Sequence, residues 1–258
     1  MLKSRHVLLS LFFLLSYHHS FSQDQYDYTS GSLDQFRSKG SATLNNELKY
    51  AFRIDAARLS IRTDQDLRSQ SVRIPEVEIE RYYRLLTAVY KANDLARSII
   101  ACGVHTAAQT SVDYAELIYD RRSPWAAPLQ SGIARTESPA INRLMEEYDL
   151  IIQSHRQIDQ QRDILIIRAA EPINMAALTN TLYEVEGILK VNLRANPQMT
   201  SDIQVRPVDR GWNISFVRYF EEDGARQQHT WVYHVSESWE VEFLNELGAP
   251  LPEALACP

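Results

Sequence analysis

Residues 112–120 (VDYAELIYD) and residues 164–168 (ILIIR) decide the fold that this sequence predicts. Both stretches are rich in aliphatic and aromatic side chains, and apolar and polar residues alternate through much of the first, which is typical of β-strands. A helical spacing of apolar residues follows each stretch, at residues 139–148 and at residues 174–186. The sequence therefore predicts the same strand–helix pair twice.

A further strand follows each helix, at residues 150–153 and 188–193, so residues 111–196 have the order βαββαβ. This is the order of the ferredoxin-like split βαβ arrangement, in which four strands form one antiparallel sheet and both helices cover one face. The first and third strands are neighbours in that topology, so we expect residues 112–120 to pair with residues 164–168. The other face of the sheet is then left for a partner or for another layer.

The two helices of this unit should bury one apolar side each. The residues expected to be buried are Ile141, Leu144, Met145, Leu178, Leu182 and Val185. They recur at steps of three and four residues, which places them on a single helix face. We expect this face to cover the sheet.

Helices precede this unit and strands follow it. Residues 44–110 carry apolar residues at helical spacing, with Pro75 suited to a first helical turn, and predict a helical layer. Because the connections within residues 197–258 are short, that region predicts an antiparallel β meander. Its strands are expected at residues 203–208, 212–220, 229–235 and 239–244. The predicted fold class is α+β, with an N-terminal helical layer, a ferredoxin-like unit and a C-terminal meander.

The first 22 residues have the three regions of a secretory signal peptide. A basic start precedes an apolar centre at residues 7–15, and small residues ending at Ser22 suit a cleavage site. The apolar run is too short for a membrane span, which needs about 20 apolar residues. We therefore expect an exported protein, periplasmic or secreted, that begins at Gln23 with a mobile leader over residues 23–43.

Charge excludes two classes of partner. The chain of 258 residues has 33 acidic and 27 basic residues, for a formal net charge of −6 at pH 7. Cleavage after Ser22 would remove Lys3 and Arg5, so 25 basic residues would remain against 33 acidic ones, a net charge of −8. Nucleic acid and anionic lipid are bound by clustered Lys and Arg, and the sequence has no such cluster. We expect neither nucleic acid nor a membrane as a partner.

Two cysteines, Cys102 and Cys257, lie far apart in the sequence. In an exported protein they could form a disulfide that closes a long loop. Alternatively, Cys102 is a buried small residue near a helix end and Cys257 is a free thiol in a frayed tail. The sequence favours the two interpretations equally.

Short motifs are spread over most of the chain after residue 43. They are Asp55-Ala56-Ala57-Arg58-Leu59, Ile74-Pro75-Glu76, Tyr82-Tyr83 with Leu86, His105-Thr106, Leu144-Met145 with Tyr148, and Gly248-Ala249-Pro250-Leu251-Pro252. In these motifs the chain resembles families of exported proteins of unknown function from Bacteroidota-type bacteria. The resemblance implies export and this layout of elements, and it implies no activity.

The sequence predicts no catalytic residue, metal ligand or cofactor. It lacks the Gly-x-Ser-x-Gly elbow of many hydrolases and the glycine-rich loop that holds phosphates. His229 and His234 lie an odd number of residues apart in one predicted strand, so they point to opposite faces and suit no shared metal. His105 follows a helix end, which favours a role in capping the last carbonyl groups.

Aromatic residues crowd the predicted meander and give the best functional lead. They are Trp212, Tyr219, Trp231, Tyr233 and Trp239. Such residues fill sheet cores or form exposed binding platforms, and their alternation with polar neighbours favours the core. The platform interpretation supports a non-enzymatic module that binds a peptide, a protein or a glycan through its β-sheet.

The alternative class is an extracytoplasmic hydrolase. Its site would be assembled from dispersed residues, with His105, His234 and Asp113 as candidates. Histidine and carboxylate side chains are the usual carriers of acid–base catalysis. This hypothesis requires the fold to bring the three residues together.

Overall fold

The structure is a computed structural model that describes residues 44–63, 71–107, 111–193 and 200–257. The predicted signal peptide and the predicted leader over residues 23–43 lie outside these ranges. The described part of the chain is mixed α+β, with six α-helices and two antiparallel sheets of four strands each.

Three helices open the described chain, as the apolar spacing of this region predicts. Pro75 directly precedes the second helix, and the Asn93 side chain accepts a hydrogen bond from Ala96 N to cap the third. Gly103, with φ of +71°, follows the third helix in the left-handed conformation that glycine favours. The helices are α1 (Asn46–Thr63), α2 (Glu76–Ala92) and α3 (Asp94–Ala101).

The first sheet has the strand order β2-β3-β1-β4. Its strands are β1 (Tyr114–Asp120), β2 (Leu150–Gln157), β3 (Arg162–Ala169) and β4 (Ile188–Asn192). β1 pairs antiparallel with β3, with Ile118 opposite Ile164, so the predicted pairing of residues 112–120 with residues 164–168 is confirmed. The prediction placed the start of β1 two residues too early, because Val112 and Asp113 precede the strand.

Three helices lie in the connections between the strands of the first sheet. They are α4 (Ala127–Gln130), which follows a short 3-10 helix at Pro124–Ala126, α5 (Pro139–Glu147) and α6 (Met175–Tyr183). The sequence does not predict α4, because this helix is too short to show a periodic spacing of apolar residues. Ile141, Leu144, Leu178 and Leu182 lie in one buried cluster with the alternate strand residues Ala115, Leu117, Leu165 and Ile167. Val185 is buried as expected, whereas Met145 is half-buried.

The second sheet is a meander in the order β5-β6-β7-β8, as predicted. Its strands are β5 (Ser201–Val208), β6 (Gly211–Glu222), β7 (Ala225–Ser236) and β8 (Val241–Gly248). The prediction of a strand at residues 239–244 is wrong at its start, because Trp239 has φ of +68° and lies in the turn before β8. The turn between β6 and β7 is shorter than predicted and consists of Asp223 and Gly224.

The two ends of the described chain share one hydrophobic core. Side chains of α1, α2 and α3, including Leu59, Leu86 and Ile99, are buried in a cluster with Ile214 and Phe216 of the second sheet. Residues of the first sheet and its helices form a separate cluster. The predicted helical segment and the predicted β region therefore fold together, and the βαββαβ segment is inserted between them.

The chain enters and leaves the inserted segment at neighbouring positions in the structure. His105 N donates to Ser201 Oγ at 3.0 Å, and Ala107 N donates to Asp202 Oδ1 at 2.8 Å. Residues before and after the inserted segment are thus direct neighbours. None of the helices in the described ranges is both long enough and apolar enough to cross a membrane.

Candidate functional site

The five aromatic residues of the predicted platform do not form one surface. Trp231 and Tyr233 face the helices and are 3% and 0% exposed, so they belong to the core. Trp212 and Trp239 are half-buried against the same core, with ring centroids 6.0 Å apart. The Arg84 guanidinium of α2 lies 4.2 Å from the Trp239 ring centroid. These four rings mainly stabilise the contact between helices and sheet.

Tyr219 lies on the opposite face of the second sheet, because it is an odd number of positions from Phe216 in a regular strand. The guanidinium of Arg226 lies 4.4 Å from the Tyr219 ring centroid, within the range of a cation–π interaction. Tyr219 is half-buried and borders a groove of about 300 Å³. The groove is lined by Tyr219, Arg226, Gln227, Gln228, Gly248 and Ala249.

One wall of this groove depends on a glycine. Gly248 has φ of +97°, and a Cβ atom there would lie 2.2 Å from the carbonyl oxygen of Gln228. The next residue, Ala249, donates its N–H to the same oxygen at 3.0 Å. The Ala249 carbonyl accepts from His229 Nδ1 at 2.9 Å, which fixes the proton on Nδ1 because a carbonyl only accepts. The end of β8 is therefore held close against β7.

The buried residue Val217 separates the groove from a polar part of the same face. Beyond Val217, Ser215 and Asn213 follow at alternate positions of β6, and His234 lies opposite Asn213 on β7. His234 Nδ1 and Asn213 Oδ1 are hydrogen-bonded at 3.1 Å. This face thus offers amides, hydroxyls and one imidazole beside an aromatic ring.

The three residues proposed for a hydrolase site are not brought together. His105 bonds to Asp55, and His234 bonds to Asn213. The carboxylate of Asp113 accepts hydrogen bonds from other groups. Within the described ranges, no hydrogen bond or ion pair joins any two of the three, so the structure gives no support to this version of the site.

His105 instead forms a pair with a buried acid. Asp55 of α1 is 1% exposed, and its Oδ2 lies 2.9 Å from His105 Nδ1. Its Oδ1 accepts from Thr106 N at 2.8 Å and lies 3.7 Å from Arg58 Nη1. Because a carboxylate only accepts, Nδ1 carries the proton and neutral His105 has its lone pair on Nε2. The expected capping role of His105 is wrong, since its ring binds a side chain 50 residues away.

The Asp55–His105 pair also joins two of the motifs that carry the resemblance. Asp55 and Arg58 come from the first motif, and His105 and Thr106 come from another. Besides the carboxylate contacts, Arg58 Nη1 and the Thr106 carbonyl are 3.4 Å apart. The two motifs therefore build one local structure, and nothing in the sequence links their positions.

A second buried acid lies in the inserted segment. Asp163 is 0% exposed and accepts from Arg121 Nη1 at 3.3 Å, His155 Nε2 at 3.1 Å and Tyr119 OH at 3.5 Å. Burial, and then the Asp163 charge, raise the pKa of Tyr119 well above its usual value. A bulge in β2 turns His155 to the sheet face that carries Asp163, and no sequence pattern predicts that bulge. The polar groups of this cluster are hydrogen-bonded to Asp163, so we interpret the cluster as structural.

Metal binding has no support in the described ranges, which contain no group of three His, Cys, Asp or Glu side chains placed to hold an ion. Comparison with models of known protein families, with curated proteins and with solved structures gave no match for this chain.

The two cysteines form a disulfide in the structure, with Cα atoms 5.5 Å apart. Cys102 follows α3, and Cys257 lies in the tail after β8. Both pack against the core that the helices share with the second sheet. The tail is thereby tied to the helical layer.

Proposed function

We propose that this chain is an exported, non-enzymatic module that binds a peptide, a protein or a glycan through its second β-sheet. The observation that carries the proposal is the groove in which Tyr219 and Arg226 lie beside Gln228, the residue opposite Tyr219 on β7. Export rests on the sequence of residues 1–22, and the resemblance to exported families is part of the same proposal.

The composition of the groove favours recognition over catalysis. An aromatic ring supplies apolar contact area, and the side chain of Gln228 supplies an amide donor and acceptor on the same face. Neither a carboxylate nor a histidine is among the side chains that line it. Sites for small molecules are usually enclosed, so this surface groove suits part of a longer chain.

We also propose that the described residues 111–193 of the predicted segment 111–196 form a ferredoxin-like unit. The strand order β2-β3-β1-β4, with antiparallel pairing throughout, supports this assignment. Side chains of α5 and α6 lie in one cluster with the same face of the strands, which is expected if both helices cover one face. Neither helix covers the other sheet face, where Ile164 is nonetheless only 4% exposed.

Glycan arrays and a displayed peptide library, both probed with purified residues 23–258, test the binding function. Tyr219→Ala should weaken binding of a selected ligand by about 30-fold, because buried aromatic anchors contribute about 2 kcal/mol or more. Leu244→Ala is the matched control, since Leu244 is exposed on β8 outside the groove lining. The proposal would be contradicted if neither the glycan arrays nor the peptide library yielded a ligand. It would also be contradicted if the Tyr219→Ala variant bound the selected ligand as tightly as the unmodified protein.

The Asp55–His105 pair favours a second candidate, an enzyme in which Nε2 of His105 takes a proton from an attacking water molecule. The buried carboxylate holds the ring by Nδ1, as a general base requires. A panel of ester, amide and phosphoester substrates tests it. Turnover should disappear in His105→Gln and fall in Asp55→Asn, and its pH profile should show that a deprotonated group is required. Turnover unchanged in both variants would exclude this candidate.

A further inference from the structure

The second sheet ends at a strand whose outer edge has no partner. β8 is the last strand in the order β5-β6-β7-β8 and pairs only with β7. Within the described ranges, no backbone group outside β7 is hydrogen-bonded to residues 241–248. The outer edge of such a strand presents N–H and C=O groups that another strand can bind. The edge of β8 is therefore open to an added strand.

Two of the other three sheet edges are partly blocked. β5 contains Pro207, which lacks an N–H, and its Ile203 carbonyl already accepts from Arg62 Nη1 at 2.9 Å. On the edge strand β4, Val191 N donates to Tyr183 OH at 3.1 Å. No side-chain hydrogen bond of this kind reaches the backbone of β8 from the described ranges.

The accessible part of this edge lies beside the Tyr219 groove. Leu244 has no partner on β7 because a bulge shifts the register there, so residues 245–248 form a regular stretch that ends at the groove. The side chain of Glu246 is 48% exposed, and Leu247 is 53% exposed. A ligand can therefore reach both side chains from solvent.

These two side chains point to opposite faces of the sheet. Glu246 lies opposite Trp231, which faces the helices. Leu247 lies opposite Thr230, on the face that carries Tyr219. Side chains of a strand added to β8 alternate between the same two faces. Such a strand places one side chain beside Glu246 and the next beside Leu247.

The chain around this edge is acidic. Residues 235–258 contain five glutamates and no lysine, arginine or histidine. His229 Nε2 lies 3.9 Å from Glu246 Oε2, which is beyond hydrogen-bond distance. Charge complementarity therefore favours a basic residue beside Glu246, and Leu247 favours an apolar residue next to it.

We propose that residues 245–248 bind an extended segment of a partner protein as an additional strand, and that basic and apolar residues alternate in this segment. The inference rests on the proposed function, because it names the partner and the binding mode of the same sheet. Backbone hydrogen bonds supply affinity in this mode, and the side chains at Glu246 and Leu247 supply specificity. A second copy of the chain is a poorer occupant, because two acidic edges repel each other.

Fluorescence anisotropy with purified residues 23–258 and the labelled peptide Gly-Ser-Leu-Lys-Leu-Lys-Leu-Ser-Gly tests the proposal. The isomer Gly-Ser-Leu-Leu-Lys-Lys-Leu-Ser-Gly has the same composition without the alternation. The first peptide should bind at least about fivefold more tightly than this isomer, and binding should weaken as salt rises. A peptide with both lysines replaced by glutamate should bind more weakly than either.

Backbone methylation tests whether the peptide binds as a strand. Only alternate N–H groups of an added strand point towards β8. One peptide therefore carries N-methyl groups on both lysines, and another carries them on the last two leucines. One of these two peptides should lose affinity about tenfold or more, and the other should be affected much less.

Two variants with equal change of charge separate this edge from a general charge effect. Glu246→Lys should reduce affinity for the first peptide at least about fivefold and should raise affinity for the glutamate peptide. Glu184→Lys, at an exposed position after α6, is the matched control and should change affinity less than about twofold. Leu247→Ser should weaken binding about threefold or more, which tests the apolar contact without a change of charge.

The failure of this inference can be distinguished from the failure of the proposed function. Tyr219→Ala should change affinity for the first peptide less than about twofold. If none of these peptides binds while a ligand from the arrays binds through Tyr219, the inference is wrong and the groove remains the binding site.

Three further results would overturn the inference. They are equal binding of the two isomeric peptides, equal effects of the two charge-reversed variants, and equal effects of the two methylation patterns. A dimer in sedimentation experiments that Leu247→Ser dissociates would assign the edge to a second copy instead. Circular dichroism and thermal unfolding of each variant verify that a loss of binding is not a loss of fold.

Discussion

Removal of the disulfide should cost a large part of the stability of this protein. Cys102 and Cys257 are 155 residues apart in sequence, and the chain-entropy model gives about 5 kcal/mol for a closed loop of that length. Domains of ordinary size unfold with about 5–15 kcal/mol in total. The stabilisation arises chiefly because the cross-link restricts the unfolded chain, so the folded structure should change little without it.

Urea unfolding followed by tryptophan fluorescence measures this effect. The variant with Cys102→Ala and Cys257→Ala should unfold at a urea concentration about 2 M lower, for a slope of about 2–3 kcal/mol per molar urea. Dithiothreitol should lower the midpoint of the unmodified protein to a similar value and should leave the variant unchanged. A loss of less than about 1 kcal/mol, or a response of the variant to dithiothreitol, would show that the disulfide does not stabilise the fold in this way.

Three further predictions concern the two cores. Replacing residues 108–199 by a short Gly-Ser linker should leave a cooperatively folding protein, because His105 and Ser201 are hydrogen-bonded; a broad, non-cooperative thermal transition would contradict this. Burial, and then Glu246, raise the pKa of Tyr233 to about 12, so stability should fall between about pH 10 and pH 12 as the folded state retains its proton longer, and Tyr233→Phe should reduce this fall in urea titrations. Asp163→Ala should lower stability by about 1–3 kcal/mol in thermal and urea unfolding, because the buried Tyr119 hydroxyl would lose its acceptor; a change below about 0.5 kcal/mol would show that the cluster contributes little to stability.

The arrangement of the first sheet could be predicted because its signals are local. Strand and helix patterns alternate along residues 112–193, and the known topology of that order then implies the pairing of β1 with β3. The N-cap of α5 at Ser138 is also local chemistry, because its side chain accepts from Ile141 N. Local chemistry thus determined the order and type of most elements.

The features that the sequence did not predict depend on distant contacts. The shared core joins α1 to the second sheet across the inserted segment, and no periodicity within either region reveals its partner. The Asp55–His105 pair joins positions 50 residues apart. His155 reaches Asp163 only because a bulge shifts the register of β2, and such a shift follows from packing rather than from propensity.

Only part of the candidate surface could be predicted from the sequence, because the rest of it depends on distant contacts. Alternation in β6 and β7 predicts which aromatic residues share a face, and Trp231 and Tyr233 are buried as the core interpretation requires. The groove at Tyr219 also needs the end of β8, where Gly248 approaches Gln228. That approach is a tertiary contact, and the loop motif containing Gly248 gives no sign of it.

Hydrogen–deuterium exchange of the protein bound to a ligand from the glycan array or the peptide library tests whether the Tyr219 groove is the binding site. Backbone amides at residues 225–228 and 248–249, around the groove that Tyr219 borders, should exchange more slowly. Amides of the first sheet should be unaffected by that ligand. Protection confined to the region of Asp55 and His105, with no change at the groove, would show that the groove is not the binding site and would assign ligand binding to the second candidate site.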